Sequence, residues 1–345
     1  MLQVKSPLRI SFCGGGTDMK EFYSRYGGCV VSATINKYVY LGLTDNFNAN
    51  ETILNYSSLA EKVTEFDQIQ HDRFRQCLKL FDVSGVNISS MSDVPFGTGL
   101  GSSSAFTVGL IKLLMTYNRK HGKPISLGEG YYNFPDDYEY DIAKLACDIE
   151  INKLQTYSGK QDQYASTFGG LNFIMFNKDE SVDVIGLSKL MPNDKIEELE
   201  NRLVMFYIGG VHNSSEIVKK QIETMESDSR KISMLHEMFS VTMELRKQLL
   251  EGNISFVGEA LKENWNIKRS LSDGITNPKI DAIYETAIEN GAYSGKLLGA
   301  GGAGFMLFYV LPENKKHLVE YLESIGLKEF PFKFDMKGVR KMISY

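Results

Sequence analysis

Residues 95–105 read Pro-Phe-Gly-Thr-Gly-Leu-Gly-Ser-Ser-Ser-Ala. Gly97, Gly99 and Gly101 let a backbone lie close to a phosphate chain, and Phe106, Leu110, Leu113 and Leu114 then recur at helical spacing. The loop therefore runs into a helix N-terminus, whose free N–H groups and positive dipole end attract anions. The three serines add hydroxyl donors and a potential oxygen ligand for Mg²⁺, a hard cation that bridges nucleotide phosphates. A bare G-x-G-x-G pattern also fits a structural turn. Two familiar nucleotide readings fail. No Gly-Lys-Ser/Thr follows, as a Walker A loop requires, and the acidic residue that a dinucleotide site places about 20 positions on is missing.

Two more glycine clusters flank this one. Gly14-Gly15-Gly16-Thr17-Asp18 sets a hydroxyl and a carboxylate after a flexible turn, where the plain reading is a tight turn with an Asx cap. Gly299-Ala300-Gly301-Gly302-Ala303-Gly304 separates two apolar stretches, as a hairpin or a close backbone contact would.

The elements that must hold these loops are short strands and amphipathic helices. Residues 6–13, 29–35 and 37–43 read as three strands, 86–90 as another, and 138–155 as a helix with Ile142, Leu145, Ala146 and Ile149 as its apolar stripe. A loop and a Gly-Gly turn lead into a strand at 171–176. Beyond a polar stretch, 177–202, come a strand at 203–208, helices near 215–228, 232–250, 253–269 and 277–289, strands near 294–299 and 303–310, a helix near 312–325 and a final strand around 328–335. Strands and helices alternate without a regular βαβ beat, which indicates an α+β fold. The 345 residues exceed the size at which single cores stop growing, so two domains with a cleft are expected, 1–190 and 191–345, with the last strand free to pack back on the first domain.

Charged residues make up 23% and hydrophobic ones 43%, the balance of an ordinary globular chain, and the net charge is −5. Without a basic block the chain lacks the clustered charge that nucleic-acid phosphates demand. No signal pattern or apolar run of membrane-spanning length is present, and Cys13, Cys29, Cys77 and Cys147 lie too far apart for a zinc knuckle or disulfide framework. A cytoplasmic protein with small-molecule partners, no nucleic acid and no membrane is expected, a homodimer being left open. The five histidines show no i, i+4 pair, so any metal is held by oxygen.

Taken in order, SPLRISFCGGGTD at 6–18, PFGTGLGSSSA at 95–105 and KLLGAGGAGF at 296–305 resemble the three motifs of the GHMP kinase family of small-molecule kinases. The resemblance spans nearly the whole chain and implies a mixed β/α N-terminal domain, a ferredoxin-like C-terminal domain, ATP as phosphoryl donor and Mg²⁺ as its metal. GGGTD together with GKQDQYASTFGGLNF at 159–173 is most similar to the D-glycero-D-manno-heptose 7-phosphate kinases. That implies transfer to an anomeric hydroxyl giving a 1,7-bisphosphate, on the way to nucleotide-activated heptose for a surface polysaccharide. Fucose and galactose kinases carry similar motifs. A catalytically silent regulator of the same fold is a different class of reading.

The same resemblance assigns roles. It implies Asp162 as the catalytic base and Arg9 as the cation beside it. Pro95, Gly97, Thr98, Gly99, Leu100, Gly101, Ser102, Ser103 and Ser104 are implied to bind the nucleotide, and Ser103 with Glu150 the metal. For the acceptor it implies Gly15, Gly16, Thr17, Asp18, Gly301 and Gly302. Plain alternatives stand beside these: a solvated turn for Asp162, a strand-edge arginine for Arg9, an i, i+3 surface pair with Lys153 for Glu150. The segment 209–216 could face the cleft or simply cap a helix. Lys160 and Lys296 are candidates for an acceptor phosphate, with solvated surface lysines as the plainer reading.

Overall fold

The computed structural model describes residues 1–57, 59–123, 125–126, 131–132, 139–210 and 214–342. Strand β1 (Leu2–Cys13) passes through the first glycine turn into helix α1 (Lys20–Tyr26) and strand β2 (Gly28–Asp45). Strands β3 (Thr52–Tyr56) and β4 (Leu59–Val63), helix α2 (Asp72–Phe81), strand β5 (Val86–Ser92) and helix α3 (Ser102–Lys120) follow. A small hairpin, β6 (Ile125–Ser126) and β7 (Tyr131–Tyr132), precedes α4 (Glu139–Cys147), a π-helical turn (Asp148–Lys153) and α5 (Gln161–Phe168). Strands β8 (Leu171–Phe176) and β9 (Val182–Gly186) and helices α6 (Leu187–Leu190) and α7 (Asn193–Asn201) complete the first half.

Strand β2 organises the N-terminal sheet. It pairs antiparallel with β1 along one edge; on the other, residues 28–33 pair with β8 and 39–45 with β5. The break expected near residue 36 is a bulge inside this single strand. The register steps from Pro7↔Tyr38 to Leu8↔Ile35, so Asn36 and Lys37 bulge out, where β2 passes from one partner strand to the other. The sheet has eight strands, ordered β14-β1-β2-β5-β3-β4, with β8 and β9 branching from β2. The pair β3–β5 is parallel, which makes the sheet mixed. The polar stretch 177–202 contains β9, α6 and α7 rather than a bare linker.

The second half opens with β10 (Leu203–Gly209), followed by helices α8 (Ser214–Ser227), α9 (Ser229–Leu250), α10 (Phe256–Arg269) and α11 (Pro278–Glu289). Strands β11 (Ala292–Leu297) and β12 (Gly304–Val310), helix α12 (Pro312–Ser324) and strand β13 (Lys328–Glu329) close a four-stranded antiparallel sheet ordered β11-β12-β10-β13. That order is the split βαβ arrangement of a ferredoxin-like unit. The chain is thus an α+β protein of two sheets. After β13 it returns to the first: Phe334 bridges Ile35, and β14 (Arg340–Lys341) pairs with β1.

Apolar side chains on α3 pack against β1 and β2, and Met238, Leu245 and Leu261 of α9 and α10 join the same buried cluster. A second cluster, with Phe206, Trp265, Met306 and Phe308, lies within the C-terminal unit. The two halves also meet without side chains. A Cβ on Gly299 would lie 2.3 Å from the Cα of Gly99, and one on Gly99 2.5 Å from the carbonyl oxygen of Leu298, so the second and third glycine loops touch backbone to backbone.

This contact predicts a contrast between two glycines of left-handed φ. Gly326 faces open space, so Gly326→Ala costs about 1–2 kcal/mol of backbone strain alone. Gly299→Ala adds the collision and costs at least about 3 kcal/mol. Urea unfolding of both variants checks this; equal midpoints contradict a glycine-only contact.

Candidate active site

The first motif places Arg9 on β1, where its backbone N–H donates to the carbonyl of Leu100 at 3.0 Å. Its buried guanidinium grips Asp162 in a fork, Nε to Oδ1 at 2.8 Å and Nη2 to Oδ2 at 2.8 Å, while Nη1 donates to the Gly99 carbonyl at 2.7 Å. A planar bidentate pair fixes the carboxylate plane as well as its distance. Asp162 retains 26% side-chain exposure and lines a cleft of about 200 Å³. It sits in the first turn of α5 and not in the expected loop, and Arg9 lies on an interior strand, not an edge. The run Gln161-Asp162-Gln163 looks like solvated loop because it is polar, yet Gln161 and Gln163 are buried.

The second loop leads into α3 from Gly101, which has left-handed φ and supplies no side-chain cap. The first N–H groups of α3 therefore have no partner within the helix and open on the cleft, with Ser102, Ser103 and Ser104 in its wall. Gly97, Gly99 and Gly101 also line it. Pro95, Thr98 and Leu100 do not; the Thr98 hydroxyl donates to the Pro95 carbonyl at 2.9 Å and Leu100 is fully buried. These three shape the loop from behind.

Glu150 is 2% exposed and its carboxylate accepts from four donors: Arg73 Nε at 3.0 Å and Thr107 Oγ1 at 2.6 Å on Oε1, Ser104 Oγ at 2.7 Å and Gln163 Nε2 at 2.6 Å on Oε2. The surface pair with Lys153 does not form, since Lys153 approaches Asp148 instead. The π-helical turn rotates Glu150 inward, where a regular helix would have left it at the margin of the apolar stripe. Ser104, not Ser103, is its serine partner. Ser103 Oγ makes no hydrogen bond among the described residues and borders the cleft beside Glu150. These are hard oxygen donors and they suit Mg²⁺. Arg73, the partly exposed partner of Glu150, also lines the cleft.

At the first motif, Gly15, Gly16 and Asp18 line the cleft. Asp18 accepts from the N–H of Gly16 at 2.9 Å and from that of Gln161 at 3.1 Å, so it caps α5 across the chain. Burial pushes its carboxyl up from the ordinary range, opposed by those two N–H groups, and the neighbouring Asp162 pushes it further up. Thr17 is a correction: it is fully buried, its hydroxyl lies 2.8 Å from the carbonyl oxygens of both Gly14 and Cys29, between which its one proton is shared, and it accepts from the Cys29 N–H at 3.0 Å, which makes it a turn-former. Gly301 and Gly302 are another. The Gly302 N–H donates to the Ile275 carbonyl at 2.9 Å, and it is Gly299 and Ala300 that reach the cleft. In the segment 209–216, residues 211–213 fall outside the described residues.

Three polar atoms in the cleft wall, Ser11 Oγ, Ser158 Oγ and Gln161 Oε1, are buried without a hydrogen-bond partner among the described residues. Two lysines complete the wall. Lys296 is 2% exposed and Lys268 8%, so neither is solvated. Lys160 lies elsewhere, over the Tyr23 ring. Burial lowers Lys268 well below the ordinary lysine range and Lys296 to about 8.

The paired sheets, the glycine loops and the acidic and basic groups between them define a two-domain small-molecule kinase. The chain belongs to the GHMP kinase family: residues 68–170 match the GHMP kinases N terminal domain and 245–324 the GHMP kinases C terminal. It is therefore an ATP-dependent phosphotransferase to an alcohol acceptor, of the sugar-kinase kind; the family uses ATP, typically with Mg²⁺. A D-glycero-alpha-D-manno-heptose 7-phosphate kinase of Campylobacter jejuni is 31% identical, over 98% of each chain. A galactokinase of Pyrococcus furiosus is 24% identical over 98% of this chain and 96% of its own. The crystal structure of a D-glycero-D-manno-heptose 1-phosphate kinase from Bacteroides thetaiotaomicron superposes with a TM-score of 0.78 at 25% identity, covering 100% of both chains. No helix among the described residues is long and apolar enough to cross a membrane.

The four donors around Glu150 predict that Glu150→Gln, which turns an amide N–H toward them, destabilises the fold by about 2–4 kcal/mol. Lys153→Ala stays within about 0.5 kcal/mol of the parent. Chemical denaturation of the two variants reads the difference, and similar midpoints would return Glu150 to the surface.

Proposed function

We propose that the chain transfers the γ-phosphoryl group of ATP to the anomeric hydroxyl of D-glycero-D-manno-heptose 7-phosphate, giving the 1,7-bisphosphate. The observation that carries this reading is the Arg9–Asp162 fork at the entrance of α3, where an activated hydroxyl and a phosphate chain can share one cleft. Phosphoryl transfer asks for positioning and charge stabilisation more than covalent chemistry. Asp162 takes the proton of the attacking hydroxyl on the oxygen edge that faces the cleft. Arg9 holds that carboxylate in place through the bidentate fork, and its charge lies beside the phosphoryl in flight. The N–H groups of Ser102, Ser103 and Ser104 and the glycines before them cradle the donor phosphates. Mg²⁺, held by Ser103 and Glu150, would neutralise their charge.

A sugar acceptor suits the rest of the wall. Ser11, Ser158 and Gln161 offer unpartnered polar atoms, and Gly15, Gly16 and Asp18 border the same space. Matching hydrogen bonds from sugar hydroxyls would relieve the cost of leaving such atoms bare. The heptose 7-phosphate kinase name attached to the Campylobacter jejuni relative supports the choice of acceptor. The product would feed nucleotide-activated heptose for a surface polysaccharide, in the cytoplasm where ATP is supplied. The division at residues 190/191 belongs to the same proposal, the first unit giving the base and cradle and the second the facing wall.

Release of ADP across a panel of hexoses, heptoses and their phosphates tests the acceptor, with phosphorus NMR fixing the position of the new ester. Heptose 7-phosphate should exceed galactose and fucose in kcat/KM; turnover confined to either of those sugars sinks the assignment. Asp162→Asn should lower kcat about 100-fold or more while ATP affinity is kept. Full turnover in that variant would remove Asp162 from the reaction.

A further inference from the structure

Lys296, on β11, opens the third glycine motif and Lys268, on α10, lies outside all three; neither has a role in the transfer chemistry derived above, yet both are more than nine-tenths buried and both line the cleft. Each ammonium carries three donors. Lys296 donates to the Phe12 carbonyl at 3.2 Å, and Lys268 to the carbonyl of Gly299 and, at 3.4 Å, to that of Leu297. All of these acceptors are neutral, and neither lysine makes an ion pair among the described residues. The nearby carboxylates are committed elsewhere, Asp162 to Arg9 and Asp18 to the N–H groups of Gly16 and Gln161. Lys268 and Lys296 repel each other, and Arg9 repels both. Burying charge without a partner strongly opposes folding, so two buried lysines that meet only neutral acceptors, beside an arginine already paired to Asp162, point to a missing anion.

We propose that Lys268 and Lys296 form a second anion seat, on the C-terminal wall of the cleft, that binds a phosphate monoester dianion. It lines the same cleft as the amide cradle of α3, so the cleft offers one seat for the donor's phosphates and a second for another phosphate. Two sources share this chemistry: the acceptor's own phosphate and the phosphoryl group being transferred. Only the choice between them rests on the kinase reading above.

The test is a calorimetric titration with inorganic phosphate, after Mg²⁺–ADP has saturated the first seat, of the full chain and of its Lys268→Met and Lys296→Met variants. Methionine keeps the methylene packing and removes the charge. Each variant should bind phosphate at least tenfold more weakly, with a melting temperature at or above the parent's because a repulsion has gone. Phosphate affinities within twofold of the parent overturn the seat. Failure of the parent to bind ADP instead overturns the kinase reading and leaves the phosphate comparison to decide the seat alone. If the seat holds the acceptor's phosphate, the variants raise KM for heptose 7-phosphate at least tenfold and leave unphosphorylated heptose unaffected; if it holds the phosphoryl in flight, they lower kcat for both.

The parent chain gives a readout that needs no variant. Arg9 and Cys13 on β1 and Asp18 beside them are the other ionisable groups facing the pair. Burial pushes the Cys13 thiol up, away from its charged form, and Arg9 is engaged by Asp162. As pH rises through about 8 Lys296 loses its proton, so phosphate affinity should fall above that pH. An affinity that is flat or rising from pH 7 to 9 also overturns the seat.

Discussion

Backbone contact between residues 97–101 and 298–304 constrains everything else in the cleft. Gly99 and Gly299 approach so closely that neither can carry a side chain. Each side of this contact then presents a carbonyl to a cation from its own domain: Gly99 to Arg9 and Gly299 to Lys268. The spacing of the two positive groups is therefore set by main-chain geometry, which is stiffer than any pair of long side chains. A substitution that opened the contact would move Arg9, and through it Asp162, relative to the opposite wall.

The three carboxylates of the cleft are each fixed by donors from separate elements. Arg9 of β1 reaches Asp162 of α5; Asp18, from the first glycine turn, accepts the N–H that opens α5; and Glu150 gathers Arg73 of α2, Ser104 and Thr107 of α3 and Gln163 of α5. Helix α5 appears in all three sets. An eight-residue helix has little stability of its own, so its orientation comes from these bonds, and they in turn aim Asp162. Charge-assisted hydrogen bonds are about twice as strong as neutral ones, which is why so short an element can be held in one pose.

How much of this the sequence discloses depends on which physical signal each residue emits. Glycine loops followed by helical spacing are legible, because the phosphate cradle and the helix start depend on local backbone alone. The single long β2 was concealed because Asn36 and Lys37 interrupt the alternation, and a bulge reads like a turn when the partner strands are unseen. Helix α5 was concealed by polarity, since Gln161 and Gln163 are buried and Asp162 half-buried, held by bonds to residues over a hundred positions away or on other helices. Thr17, a sugar ligand by resemblance, turns inward for a similar reason: its partner Cys29 arrives only when β2 folds back. Lys268 did leave a trace. Leu261, Asn264 and Lys268 follow one another at spacings of three and four on α10, all buried, and a lysine on such a stripe faces inward.

The walls and the interior of this cleft stand in opposite states of satisfaction. Around it, Asp162, Asp18 and Glu150 have their hydrogen bonds filled, and the glycine contact leaves no slack. Among the described residues that line it, Ser11, Ser158 and Gln161 carry polar atoms without a hydrogen-bond partner and two lysines make no ion pair. A fold selected for stability alone would bury neither, because each unmade bond or unpaired charge destabilises it. The combination follows if the missing partners come with the ligand. Electrostatic preorganisation has that form: the protein is strained toward a charge distribution that is completed only when the reacting groups are present.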